Sequence, residues 1–323
     1  MIYIVIFILL FILELGYFRI ADRFNIIDKP NLRSSHTSVT LRGGGVIFLF
    51  GAWIFWLAFG LQYSWFILGL TLTGLISFYD DIKSLPDSVR LIVQFTAMGL
   101  MFYQFGILNW QDWWIVIIAL IVCVGIINAY NFMDGINGIT GGYSIAVVLP
   151  LIFLNNRFQF VAPSFLYVTA LSLIVFCFFN FKKKAKCFAG DVGSISIAFI
   201  LLFAMGLLML RTQDFAYIVF IAVYGADSIL TIVHRIKLRE KLGQAHRKHA
   251  YQIMANELKI PHVNVAIFYS MLQLAISFGL IFIPINHYIY LGIIIVLLGT
   301  SYVIFMKRYY HLHEKYLNSI NNS

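Results

Sequence analysis

The sequence predicts an all-α, polytopic membrane protein of about 10–11 transmembrane helices, on three observations. The chain of 323 residues is 61% hydrophobic and only 11% charged. Its mean hydropathy is +0.87. Its apolar runs reach about 20 residues, enough to cross roughly 30 Å of hydrocarbon at about 1.5 Å per helical residue. Soluble domains carry about 25% charged residues, so water is not the main solvent here. One integral-membrane domain over 1–323 is expected, because no internal repeat and no Pro/Gly/Ser linker divides the chain.

Apolar runs measured against polar breaks place spans at 2–20, 44–61, 65–79, 91–108, 113–130, 138–154, 161–181, 192–210, 215–233, 263–284 and 288–306. The first run lacks a positive leading segment, and Glu14 and Arg19 follow it with no small-residue cleavage site. It is therefore expected to be a retained span and not a removed signal. Cys123, Cys177 and Cys187 are too scattered for a disulfide framework or a zinc site and are read as packing residues.

Orientation follows from the positive-inside rule. The segments Arg19–Arg42, Lys83–Arg90, Lys182–Lys186 and Arg235–Lys259, with the tail after Met306, hold all of the 23 basic residues except Arg157 and Arg211. These segments are assigned to the cytoplasm, which puts the N-terminus outside and the C-terminus inside. The net charge of +9 is then mostly a topology signal, and nucleic acid is not an expected partner.

Ionisable groups at membrane depth cost about 2.5–3.5 kcal/mol on insertion scales, so each asks for a reason. Asp80, Asp81, Asp87, Asp134, Asp191 and Asp227 fall at or near the inner ends of spans, whereas Asp112 and Asp214 mark outer loops. In Phe78-Tyr79-Asp80-Asp81-Ile82-Lys83-Ser84 an apolar run ends in adjacent carboxylates. Neighbours on a helix point about 100° apart, so the two need not share a task. Metal binding, acid/base work on a phosphate, or a solvated helix end would each account for them. The helix dipole opposes acids at a C-terminus and tips the balance toward function.

Asn128-Ala-Tyr-Asn131-Phe-Met-Asp134-Gly135-Ile-Asn137-Gly138 puts four polar groups at spacing three. Steps of three rotate a helical side chain by about 60°, so Asn131 and Asp134 are neighbours while Asn128 and Asn137 diverge. The glycines Gly135, Gly138, Gly141 and Gly142 let the helix open beside a ligand, or else form a packing face.

Lys182-Lys183-Lys184-Ala-Lys186 precedes Gly190-Asp191-Val-Gly193-Ser194, where flanking glycines suggest a turn that aims the Asp191 carboxylate. The lysines are accounted for by topology. In the longest inside loop His246 and His249, read as helical, share a face, and with Arg247 they make a donor cluster suited to phosphate oxygens. A basic helix lying on anionic lipid is the alternative. Asp28-Lys29-Pro30-Asn31-Leu-Arg33-Ser34-Ser35-His36, with Arg42-Gly43-Gly44-Gly45, forms the first inside loop, where glycines beside an arginine can cradle a phosphate.

Hard oxygen ligands and cationic donors gathered on one side imply magnesium-assisted phosphoryl chemistry. From Asp28 to Gln252 the chain resembles the polyprenyl-phosphate N-acetylhexosamine-1-phosphate transferase superfamily. The resemblance rests on the order Asp80-Asp81, Asn-Ala-Tyr-Asn-Phe-Met-Asp-Gly-Ile-Asn-Gly, Gly-Asp-Val-Gly-Ser and the His-rich loop. Arg-Ser-Ser-His and Ala-His-Arg-Lys-His-Ala-Tyr-Gln look most like the branch that begins O-antigen or capsule repeat units. The muramoyl-pentapeptide branch usually shows consecutive histidines, which this chain lacks.

The resemblance implies that Asp191 with Asn131 binds Mg2+, with Mn2+ as the substitute. It implies that Asp80 deprotonates or orients the lipid phosphate, supported by Asp81 and Asp134. His246, Arg247 and His249 would hold phosphates, and Asn128, Asn137, Arg42 and Lys83 are further substrate-binding candidates. Two positions depart from the family pattern: Ser84 stands where a third acid is common, and Asn137 replaces the second acid of Asp-Gly-x-Asp-Gly. The implied reaction moves a sugar 1-phosphate from a UDP-N-acetylsugar to polyprenyl phosphate and releases UMP. It would begin a cell-surface polysaccharide at the cytoplasmic face of a bacterial inner membrane. Membrane lipid is the expected surroundings, and a homodimer is compatible with this reading. The rival class is an ion-coupled secondary transporter, which would hold its acids near the midplane. A CDP-alcohol phosphotransferase would need Asp-Gly-x-x-Ala-Arg, which does not occur here.

Overall fold

The computed structural model describes residues 1–28, 39–108, 111, 113–241 and 246–321. Lys29 to His36 of the first inside loop and Asp112 lie outside the described residues. Among those described, the order is α1 (Ile2–Arg23), β1 (Ile27–Asp28), β2 (Thr40–Leu41), α2 (Val46–Ala58), α3 (Ser64–Ile82), α4 (Asp87–Phe105) and α5 (Trp113–Met133). Then come α6 (Ile139–Phe158), α7 (Pro163–Asn180), α8 (Gly190–Thr212), a 3-10 helix (Phe215–Ile221), α9 (Ala222–Lys237), α10 (Ala250–Asn256), α11 (His262–Phe282) and α12 (His287–Asn321). The short strands pair antiparallel, with Ile27 opposite Leu41 and Asp28 opposite Thr40.

Each of the eleven expected spans falls on a helix. Nine helical segments among the described residues are long and apolar enough to cross a membrane, the 3-10 helix and α9 counting as one. The other two have physical reasons to differ. α2 has 13 residues, about 20 Å of rise, and opens on the glycines that bring it against α8. α4 carries Arg90, Gln94 and Gln104, and each is spent on a polar contact. Arg90 reaches two acids of α3 and α8, Gln94 accepts from Asn128, and Gln104 accepts from the Trp65 backbone.

A helix that is apolar all round belongs in the middle of a bundle. α8 meets that description and is the most enclosed span, with 83% of its apolar stretch buried, against 17% for α5 and 22% for α12. The outer two present Ile117, Ile118 and Ile121, or Ile293, Val296 and Ile304, to their surroundings, as lipid-facing helices do. Two glycines let α2 sit against the start of α8: a Cβ on Gly45 would overlap the Gly193 Cα. Gly44 and Gly45 donate their N–H groups to the carbonyls of Phe188 and Ala189 at 2.9 and 3.0 Å.

The break between the 3-10 helix and α9 leaves backbone groups to satisfy. Gln273 of α11 accepts from Val223 N–H at 3.1 Å and donates to the Val219 carbonyl at 3.0 Å. Tyr143, stacked on Tyr224 with centroids 3.5 Å apart, takes the Tyr224 N–H at 3.2 Å.

Candidate active site

The end of α3, the start of α8, the start of α4, the end of α5 and the turn before α2 meet at one end of the bundle. Their meeting is electrostatic. Asp80, at the last turn of α3, accepts from Arg90 Nη1 at 2.9 Å, and Asp191, at the first turn of α8, accepts from the same nitrogen at 3.2 Å. Two carboxylates 111 positions apart therefore share one cation's place. Arg90 also pairs with Asp87, whose charge suits the first turn of α4. Asn131 of α5 donates to Asp191 Oδ1 and to Ser194 Oγ, both at 3.0 Å.

Asp81 points the other way, as its helical position demands. Its carboxylate is completely buried and pairs with Arg42 Nε at 2.7 Å. It also accepts the backbone N–H groups of Asp191 at 2.9 Å and Val192 at 3.1 Å, so it satisfies the orphan donors that open α8. Gly190 makes this approach feasible. Its φ is +70°, and a Cβ there would lie 2.5 Å from Asp81 Oδ2. Arg42 continues to Asp191 Oδ1 at 3.4 Å, while Tyr17 Oη donates to the Arg42 carbonyl at 2.5 Å.

α5 ends at Met133, so Asp134 stands in the turn before α6, where Gly138 takes φ +85°. Asp134 accepts from Thr140 Oγ1 at 2.6 Å. Withdrawal from water pushes its carboxyl up to about 6, against the lowering effect of that hydroxyl. Asn128 and Asn137 diverge as the spacing predicts. Asn128 donates to Gln94 Oε1 at 2.9 Å, and Asn137 donates to the Lys182 and Lys183 carbonyls at 3.0 and 3.3 Å. Lys83 is exposed at the end of α3.

The helical reading of His246 to His249 is corrected: these residues precede α10, and His249 is its N-cap with extended backbone, φ −64° and ψ 148°. Their rings still meet, centroids 5.0 Å apart. The reason is Asp227 of α9, which accepts the N–H groups of Ala250 at 2.9 Å and Tyr251 at 3.2 Å, together with the Tyr269 hydroxyl at 2.7 Å. His249 Nδ1 lies 3.4 Å from the same carboxylate. Starting a helix there satisfies the N–H groups of Ala250 and Tyr251, which a helix running through 246–249 would forgo. Burial and the neighbouring His249 push His246 down to about 3. Tyr251 Oη donates to the Phe132 carbonyl at 2.9 Å and so ties the histidine loop to the end of α5, beside Asn131 and Asp134.

Arg90, Asp227 and Tyr251 were not singled out for the site by residue pattern. By pattern Arg90 is one of the topology cations. Its one local signal is Asp87 three residues earlier. By pattern Asp227 is an acid near a span end.

Among the described residues no three His, Cys, Asp or Glu side chains close on a single metal position. The oxygens present nevertheless suit a hard divalent cation. Asp80 and Asp191 converge on one positive group, the Asn131 amide touches Asp191, and magnesium fills its remaining positions with water and phosphate oxygens.

Residues 63–210 match the family described as glycosyl transferase family 4. That segment holds the Asp80-Asp81, Asn131 to Asp134 and Asp191 motifs and stops before the histidine loop. The chain is 24% identical over 254 residues to a probable undecaprenyl-phosphate N-acetylglucosaminyl 1-phosphate transferase of Bacillus subtilis, covering 72% of this chain and 70% of the relative. It is 28% identical over 211 residues to a phospho-N-acetylmuramoyl-pentapeptide-transferase of Thermotoga maritima, covering 60% and 67%. It is 25% identical over 263 residues to an undecaprenyl-phosphate alpha-N-acetylglucosaminyl 1-phosphate transferase of Yersinia pestis, covering 73% and 71%.

Proposed function

Because the chain belongs to the polyprenyl-phosphate N-acetylhexosamine-1-phosphate transferase superfamily, we propose that it transfers an N-acetylhexosamine 1-phosphate from a UDP-sugar to undecaprenyl phosphate. UMP is released and a cell-surface polysaccharide is begun. The observation that carries this reading is the convergence of Asp80 and Asp191 on Arg90, with Asn131 on Asp191. All four lie at helix ends, where a phosphate in water and a lipid phosphate in the membrane surface can both arrive. A transporter's acids would stand mid-helix, and Asp80 and Asp191 occupy a last and a first turn.

In the reaction a phosphate oxygen of the lipid attacks the β-phosphorus of the UDP-sugar. The new P–O bond forms as the bond to the bridging oxygen breaks, and that oxygen leaves with UMP. One phosphoanhydride replaces another, so the enzyme's task is positioning and charge neutralisation. Asp191, Asn131 and Asp80 would hold Mg2+, which supplies charge neutralisation at the phosphate oxygens when bound. Asp80 orients the lipid phosphate or takes its proton. Arg42 and Arg90 set positive charge beside these carboxylates, Arg42 against Asp81 and Asp191 and Arg90 against Asp80 and Asp191. His249 Nε2, His246 Nδ1 and Arg247 Nε are buried without hydrogen-bond partners among the described residues. They face no competing acceptor and suit the oxygens of a diphosphate. Asp81, Asn128 and Asn137 hold the scaffold of this site through the bonds described above.

The site is placed on the cytoplasmic side of a bacterial inner membrane, because the loops that build it carry the chain's lysines and arginines. The absence of consecutive histidines favours a polysaccharide-initiating role over a muramoyl-pentapeptide one. The test is purified protein with undecaprenyl phosphate, magnesium and a panel of UDP-N-acetylhexosamines, read as UMP release. No release from any of them overturns the proposal.

A further inference from the structure

α12 is 35 residues long, about 52 Å, and so outruns the hydrocarbon by about 20 Å. Its C-terminal half is packed against α10. Tyr302, Met306 and Tyr310 bury themselves against Ala250 and Ile253 of α10, which places the end of α12 over the histidine loop. Between them stands Glu257, the C-cap of α10, with a side chain only 4% exposed. Its Oε1 accepts from Arg247 Nη2 at 3.1 Å and lies 2.8 Å from His313 Nδ1 of α12. The Arg247 guanidinium also lies 4.3 Å from the centre of the Tyr316 ring.

A carboxylate this enclosed is costly unless its partners are held in place. The arrangement pins Arg247 by one edge and one face. Its Nε is left buried and without a hydrogen-bond partner among the described residues. A guanidinium already fixed in orientation, with a donor to spare, loses little freedom on meeting a phosphate oxygen. Freed from Glu257, the same side chain would have to be ordered at the moment of binding.

We propose that Glu257, steadied by His313, is a positioning residue for Arg247 in binding of the nucleotide-sugar diphosphate, so that the last turns of α12 belong functionally to the active site. This inference rests on the reading of Arg247 as a phosphate ligand given above.

The test measures KM and kcat for the UDP-N-acetylsugar, with a thermal melt for each variant, in the full-length enzyme carrying R247A, E257A, E257Q, H313A, H313Q or the pair R247A/E257A. R247A and E257A are each expected to raise KM about tenfold with a smaller change in kcat. The double variant is expected to be no worse than R247A alone, since two residues acting through one contact are not additive. E257Q and H313Q, which keep a hydrogen-bonding group, are expected to recover most of the KM, and H313A is expected to follow E257A. Additive losses in the double variant overturn the inference, as does a wild-type KM for E257A and E257Q beside an impaired R247A. A wild-type KM for R247A itself overturns the assignment of Arg247 as a ligand and this inference with it, an outcome separable from the others by that single variant.

Discussion

The backbone N–H of Asp191 donates to Oδ1 of Asp81 at 2.9 Å, across 110 residues of chain. The bond joins the end of α3 to the start of α8 and decides how the adjacent acids divide their work. Asp81 faces inward as an anchor, and Asp80 is left to face the arginine. Asp81→Ala strands the N–H groups of Asp191 and Val192 as well as Arg42, at about 1–3 kcal/mol for each stranded donor. A marked fall in the melting temperature of detergent-purified protein is expected, with a smaller fall for Asp81→Asn. A melt unchanged by either substitution removes the anchoring role.

Asp80→Asn and Asp191→Asn change charge with little change of shape. UMP release is expected to fall on the order of 100-fold or more, as when a group that stabilises transition-state charge is lost. The melting temperature should move far less than in Asp81→Ala. Wild-type turnover in Asp191→Asn would show that the centre lies elsewhere.

Removal of divalent cations tests the metal assignment directly. Chelation is expected to abolish UMP release, and added magnesium to restore it, with manganese in partial substitution. Activity that persists in excess chelator contradicts an Asp191 and Asn131 metal site.

The approach of α2 to α8 predicts contrasting alanine effects. Gly45→Ala drives a methyl into the Gly193 backbone, which cannot swing aside, and overpacking of this kind costs about 1–3 kcal/mol. Gly99→Ala on α4 has nothing within 4 Å and is expected to be neutral or to stabilise by about 0.5–1 kcal/mol. Equal melts for the two variants would refute the close contact.

Acidity should act on two groups in opposite senses. The folded-state value of His246 is depressed to about 3 from an ordinary 6.5, so the unfolded chain binds the extra proton first. The stability this histidine contributes is complete above about pH 6.5 and is lost as pH falls toward 3. Asp134 is raised to about 6 from 3.8, so its contribution is complete below about 3.8 and is lost as pH rises through 6. Relative to wild type, His246→Gln is expected to gain stability on going from pH 7 to pH 4, and Asp134→Asn to gain it on going from pH 4 to pH 7. Parallel melting curves across that range would refute both assignments.

Hydrophobic runs and their polar breaks were enough to place all eleven expected spans on helices, because crossing hydrocarbon imposes a length and a composition that hardly depend on neighbours. The motif order likewise marked Asp80, Asn131, Asp134 and Asp191, since acids at span ends are conspicuous against so apolar a background. The histidine loop was legible as a cluster but not as a shape. Its conformation comes from Asp227, a residue of another helix, whose carboxylate draws the N–H groups of Ala250 and Tyr251 into a cap.

Residue types, their spacing and the cost of burying charge thus settled that this chain spans a membrane and gathers acids at span ends. Packing alone decided that Asp81 anchors while Asp80 faces Arg90, that Arg90 joins Asp80 to Asp191, and that Glu257 meets both Arg247 and His313. Each of those pairings joins separate helices or segments of the bundle. Which carboxylate meets which cation depends on how the helices turn and approach one another, a matter of summed contacts that no local pattern encodes.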